Sequence, residues 1–198
     1  MIFLACLPRF KAYPVERMAK GFPSVGQNGN VPILKFAIKF GALMLVFYAL
    51  AETPYCQRVF WPANLQANAW VANGVLRRLQ QRTSVTEATI KTDQYEFVIK
   101  RGCDATEPVC LLLAAVTAFR APLWRKVVGM LTGTLLLLAI NQLRVVALFF
   151  VGRDFPGLYP TLHLTVFPAV FVVLALLIWA GWAQWTVGRN RLQADVKA

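Results

Sequence analysis

The sequence predicts an all-α multi-pass membrane protein, with about four transmembrane helices and a small extracytoplasmic β-hairpin element. Three observations predict it. Of 198 residues, 58% are hydrophobic and only 15% are charged, more apolar than the roughly half-apolar make-up of a soluble domain. The apolar residues lie in long runs. The basic residues, which set a net charge of +12, gather at the ends of those runs, where topology determinants sit. No Lys/Arg stripe with interleaved aromatics is present, which argues against nucleic acid as a partner. A single histidine, His163, and four cysteines without CxxC spacing argue against a metal centre. No cofactor is implied.

Residues 1–32 are mixed and polar, with Pro8, Pro14 and Pro23, and read as a cytoplasmic N-terminal tail. Residues 33–51 form the first apolar run and the first predicted span. Lys35 and Lys39 stand near its start, where long side chains reach back to an interface. Residues 52–104 are different. Trp61 to Leu79 reads as an interfacial amphipathic helix. Val85 to Ile90 and Tyr95 to Ile99 are rich in β-branched and aromatic residues and flank Lys91–Gln94, a β-hairpin pattern.

Residues 105–187 carry three further runs. The second, Ala105 to Phe119, is short, and needs flanking residues to reach the roughly 20 that cross a bilayer. The third, Val127 to Val151, is interrupted by Asn141, Gln142 and Arg144. The fourth, Leu164 to Trp185, ends in Trp179, Trp182 and Trp185, an interfacial belt. Residues 188–198 form a basic tail.

With four spans, residues 1–39, 120–126 and 188–198 share one side and hold six, three and three Lys/Arg against only Glu16 and Asp195. The other side mixes both signs. The positive-inside rule therefore places both termini in the cytoplasm and the hairpin, Cys103 and His163 outside; the membrane expected is the plasma (inner) membrane.

That topology sorts the chemistry. Cys103 lies at the outer mouth of the second span, and His163 at the outer mouth of the fourth. Arg144 lies about 12 Å below the exit of the third. A charge inside a span costs about 2.5–3.5 kcal/mol on insertion scales, so it has a partner or a task. A thiol needs ionising to attack, and imidazolium, guanidinium or a helix N-terminus favours the thiolate. Asp104 and Glu107 flank the cysteine and oppose that ionisation. The bland readings stand beside this one: Cys103 bridged to Cys56, Cys110 as packing, Arg144 snorkelling or paired with Asp154 or Glu107, and His163 as an interfacial cap.

The segment from Arg101 to Trp185 resembles the exosortase/archaeosortase family, and among its members the compact H-type exosortases most. Three pieces carry the resemblance: Val98-Ile99-Lys100-Arg101-Gly102-Cys103-Asp104, Asn141-Gln142-Leu143-Arg144-Val145-Val146-Ala147-Leu148, and His163 heading the last span. The resemblance implies a membrane-embedded cysteine protease/transpeptidase of exosortase type. Its substrates would be membrane-anchored proteins with a C-terminal sorting signal (PEP-CTERM-like): a short motif, a transmembrane helix and a basic tail. By that similarity Cys103 is the nucleophile, His163 the general acid/base and Arg144 the oxyanion or thiolate stabiliser, with Asn141, Asp104 and Glu107 in support. Many family members have about eight spans, so four is a departure. Two other readings stay open. One is a small transporter or assembly subunit with Arg144 and Asn141 lining a polar pathway. The other is a thiol oxidoreductase pairing Cys56 with Cys103.

Overall fold

A computed structural model describes residues 30–195. The predicted N-terminal tail lies almost wholly outside them. The chain divides into two units, one ending at Lys35 and the other beginning at Phe36; the second contains the sheet and most of the helices.

Helix α1, Asn30–Ala51, is apolar apart from Asn30, Lys35 and Lys39. Its last carbonyl, on Ala51, accepts hydrogen bonds from Gln57 Nε2 (2.9 Å) and Trp61 Nε1 (3.4 Å), which satisfies an end that would otherwise be orphaned. A π-helical turn, Cys56–Phe60, leads into α2, Trp61–Arg78. Pro62 falls in the first turn of α2, where its missing N–H costs nothing. Trp61, Asn68, Ala69, Ala72 and Leu76 form the buried face of this helix.

The strand-rich segment folds as a three-stranded antiparallel meander: β1 Ser84–Thr86, β2 Thr89–Lys91 and β3 Glu96–Val98, in that order. Val85 pairs with Ile90, and Ile90 with Phe97. Alternation turns Ile90 and Phe97 inward, while Lys91 and Glu96 form an exposed ion pair of 2.8 Å. The sequence predicted one hairpin with a strand from Val85 to Ile90. That stretch is instead broken at Glu87, which takes φ 55° and turns the chain back on itself.

Three long helical stretches follow. They are α3, Thr106–Ala118, α4, Leu123–Asp154, and α5, Phe167–Asp195. Helix α5 is entered through a single turn, Tyr159–Thr161, and a π-helical segment, Leu162–Val166. Among the described residues, three stretches are long and apolar enough to cross a membrane: Ile33–Ala51, Leu123–Asp154 and Tyr159–Gly188. Helix α3 has 13 residues, about 20 Å of rise, which is short of the roughly 30 Å hydrocarbon core. The expected fourth span is thus a shorter helix packed on α4 and α5. The predicted loop Arg120–Lys126 is also shorter than expected, because α4 starts at Leu123 and buries Arg125. The predicted tail beyond residue 187 continues α5 to Asp195.

Two apolar cores stack along α4. One joins Ala69, Ala72 and Leu76 of α2, Ile90 and Phe97 of the sheet, and Val145, Leu148 and Phe149 of α4. Phe149 meets Tyr95, Phe97 and Phe150 edge-on at 5.7, 6.0 and 5.5 Å. The other joins Leu112 and Val116 of α3, Leu137 of α4, and Phe171, Ala175 and Trp182 of α5. Gly129 and Gly133 let the helices approach. The Trp182 indole lies where a side chain on Gly129 would stand, and its N–H donates to the Arg125 carbonyl at 2.9 Å. Cys103 belongs to the first core and Ala105 to the second. The bend between β3 and α3 therefore marks the seam.

Candidate thiol–imidazole site

The bend is built by two positive-φ residues. Gly102 has φ 89° and Ala105 has φ 58°. The first suits a residue without Cβ; the second strains an alanine. Together they bring Cys103 down from the sheet, bury it to 1% exposure and start α3 one residue after Ala105. Asp104 braces the turn. Its Oδ1 accepts from the Gly102 N–H (3.2 Å), and its Oδ2 accepts from Asn64 Nδ2 (2.9 Å) and, in a short contact, from the Thr106 hydroxyl.

Three elements then converge on the thiol. Cys103 Sγ lies 3.1 Å from His163 Nδ1 and 3.9 Å from Nε2. His163 comes from the π-helical segment ahead of α5, and its ring stacks on Tyr159 at 5.3 Å and 16°. Arg144 comes from α4. Its Nη1 donates to the Gly102 carbonyl at 2.9 Å, and its Nη2 lies 4.0 Å from Sγ. The guanidinium sits over Phe167 and Phe171 at 5.5 and 5.2 Å, contacts that favour a cation. Asn141, one turn earlier on α4 and fully buried, donates from Nδ2 to the Cys103 carbonyl at 2.9 Å. Two successive carbonyls, of Gly102 and Cys103, are thus held by side chains of α4.

The protonation of the thiol departs from the sequence expectation. Burial pushes the Cys103 pKa up to about 11, Arg144 opposes the rise, and Asp104 adds to it. Cys103 stands before α3 rather than in its first turn, and the Asp104 carboxylate stands between it and that helix in sequence. Removing a thiolate from water outweighs one guanidinium. The neutral thiol is therefore favoured, with His163 Nδ1 within hydrogen-bonding distance of the sulfur.

No protein-family model, curated protein or solved structure matches the chain. The reading of the site therefore rests on its geometry and on the residue pattern.

Cys103, Arg144, His163, Asn141 and Asp104, all singled out in the sequence, come together here. Glu107 does not: it is exposed in the first turn of α3. Asp154 pairs with Arg153 at 2.7 Å and not with Arg144. Cys56, Cys103 and Cys110 are free thiols, so the weighed Cys56–Cys103 bridge is not formed. Cys110 is half-buried in α3, as packing requires. Sequence reasoning missed Asn64, Asn68, Thr106 and Tyr159. A signal for the first two was present: they are four apart on α2, in phase with Ala69, Ala72 and Leu76, which puts amides on an otherwise apolar face.

Proposed function

We propose that this chain is a membrane-embedded cysteine peptidase or transpeptidase, working at the outer face of the plasma membrane with both termini in the cytoplasm. The observation that carries the proposal is the Cys103–His163 contact of 3.1 Å with the Arg144 guanidinium facing the same sulfur. A thiol, a base and a fixed cation at one point are what acyl transfer needs.

The chemistry runs in balanced steps. Cys103 Sγ attacks a peptide carbonyl carbon as its proton passes to His163 Nδ1, in the tautomer with its hydrogen on Nε2. The carbonyl oxygen takes the negative charge. It falls between the sulfur and Arg144 Nη2. The Gly102 and Cys103 N–H groups are already bonded, to Asp104 Oδ1 and to the Lys100 carbonyl, which leaves the charge to Arg144. Collapse breaks the C–N bond, His163 returns its proton to the leaving amine, and a thioester remains on Cys103. Water or an amine then attacks the thioester, with His163 as base, and the thiol is restored.

The resemblance to exosortases supplies the substrate class: single-span proteins whose C-terminal signal is a short motif, a helix and a basic tail. A bond just outside such a helix arrives where Cys103 sits, at the seam between the apolar bundle of α3, α4 and α5 and the cap formed by α2 and the sheet. The reading in which Arg144 and Asn141 line a polar pathway draws less support, because both side chains are buried and bonded to the backbone around Cys103.

The test follows substrate size in membranes expressing the protein with a signal-bearing protein encoded near its gene. Wild type is expected to shorten the substrate. Cys103→Ala should not, and Arg144→Ala and His163→Ala should slow it strongly. Cleavage by Cys103→Ala at the wild-type rate refutes the assignment.

A further inference from the structure

Apart from the three groups at the sulfur, the site contains a ring of side-chain amide hydrogen bonds that the chemistry above does not use. Asn64 Nδ2 donates to Asp104 Oδ2 at 2.9 Å. Asn68 Nδ2 donates to the Asn64 carbonyl at 2.9 Å. Asn68 Oδ1 accepts from Asn141 Nδ2 at 3.2 Å and from Gln142 Nε2 at 2.8 Å. Asn141 Nδ2 also reaches the Cys103 carbonyl. The ring closes from Cys103 through Asp104, Asn64, Asn68 and Asn141 back to Cys103, across the bend, α2 and α4.

Asn68 is its keystone. It is 5% exposed, faces an apolar core, and spends both ends of its amide on the ring. A buried amide in apolar surroundings is costly unless fully bonded, and leucine in its place would fill similar volume without needing partners. The orientation is also fixed. Asn68 Nδ2 meets the Asn64 carbonyl, which can only accept, so the other end, facing Asn141 Nδ2 and Gln142 Nε2, is the oxygen. With Asn68 Oδ1 in place, Asn141 can turn its amide only one way, N–H toward the Cys103 carbonyl. That carbonyl and the Gly102 carbonyl held by Arg144 define where the thiol stands between Arg144 and His163.

We infer that Asn68 is a positioning residue for the nucleophile, acting through Asn141, so that the α2 helix of the cap sets the register of the thiol in the bundle below it. The inference rests on the thiol-peptidase reading for its purpose, but its first readout does not require peptidase activity.

The experiment uses the full chain in detergent, with Asn68→Leu, Asn141→Ala and the double variant, and alkylation by iodoacetamide as the probe. Charged and titrating groups face the thiol from each packed element: Arg144 from α4, Tyr159 and His163 from the lead-in to α5, and Asp104 from the bend itself. None is altered by these changes. The expected result for Asn68→Leu is that Cys103 alkylates about tenfold faster, with its pH midpoint falling below about 11, while Cys110, the internal control in α3, keeps its rate. The double variant should match Asn141→Ala alone, since both act through one carbonyl. On a cleavable substrate, Asn68→Leu should lower kcat about tenfold and leave KM within about threefold. Faster alkylation of both cysteines would mean general loosening and overturn the inference, as would an unchanged Cys103 rate or additive effects in the double variant. If the alkylation results hold and no substrate is ever cut, the peptidase reading fails while the positioning role stands.

Discussion

Replacing Arg144 by lysine separates its charge from its geometry. In the wild type the guanidinium does two things at once: Nη1 holds the Gly102 carbonyl at 2.9 Å while Nη2 faces the sulfur at 4.0 Å. A lysine keeps the charge and the place over Phe167 and Phe171, but it presents one ammonium where the fork had two. If that ammonium stays on the Gly102 carbonyl, the developing oxyanion loses its donor. Loss of one such donor costs about 3 kcal/mol in the transition state, on the order of a hundredfold in kcat. The bond to the carbonyl survives, so folding should hold. Arg144→Ala, in contrast, also leaves a buried carbonyl without a charged donor, about 1–3 kcal/mol of stability. The assay is single-turnover thioester formation on a signal-bearing substrate, with thermal melting in detergent alongside. The expected result is a kcat near one hundredth of wild type, KM within about threefold, and a melting temperature within a few degrees. A lysine variant that acylates within threefold of wild type would refute the oxyanion role. A loss confined to KM would assign Arg144 to substrate binding instead.

Other outcomes follow from the same geometry. In a chain whose only cysteine is Cys103, alkylation should climb with pH toward a midpoint of about 11, because the thiol is neutral below it; a plateau reached below pH 8 would indicate a preformed thiolate. Asp104→Asn should lower that midpoint, since the carboxylate disfavours the thiolate. Phe149→Ala, which empties the centre of the cap core, should cost about 3–5 kcal/mol and show as early melting. Gly102→Ala meets no neighbouring atom and suffers only its φ of 89°, so it should lose about 1 kcal/mol, or roughly 2–4 °C. Gly129→Val drives a side chain into the Trp182 indole and should cost about 1–3 kcal/mol by melting.

Much of the site was legible because polar residues in apolar runs are conspicuous. Arg144 and Asn141 interrupt a long hydrophobic stretch, and His163 is the only histidine. Asn68 was not conspicuous, since residues 52–82 contain many polar side chains and only the burial of one face of α2 distinguishes it. The burial of the thiol was illegible for a similar reason: neighbouring charges can be read from sequence, but the desolvation that dominates here cannot. The span count turns on α3: its run was already short in the sequence, and the helix, at 13 residues, gains no flanking residues to lengthen it. The meander was read as a hairpin because its first turn has no glycine, proline, asparagine or aspartate; Glu87 adopts the left-handed conformation without the usual marker.

The continuous helix α4 has a metric consequence. From Leu123 to Arg144 it rises about 32 Å, close to the roughly 30 Å of a bilayer's hydrocarbon layer. In the proposed topology, with its first turn at one surface, this rod would bring the guanidinium toward the opposite one, while Val145, Leu148 and Phe149 beyond it pack against α2 and the sheet. In the proposed reading the helix is a ruler. It fixes the height at which a bond can be cut, and one added turn in its lower half would lift the cutting plane by about 5 Å.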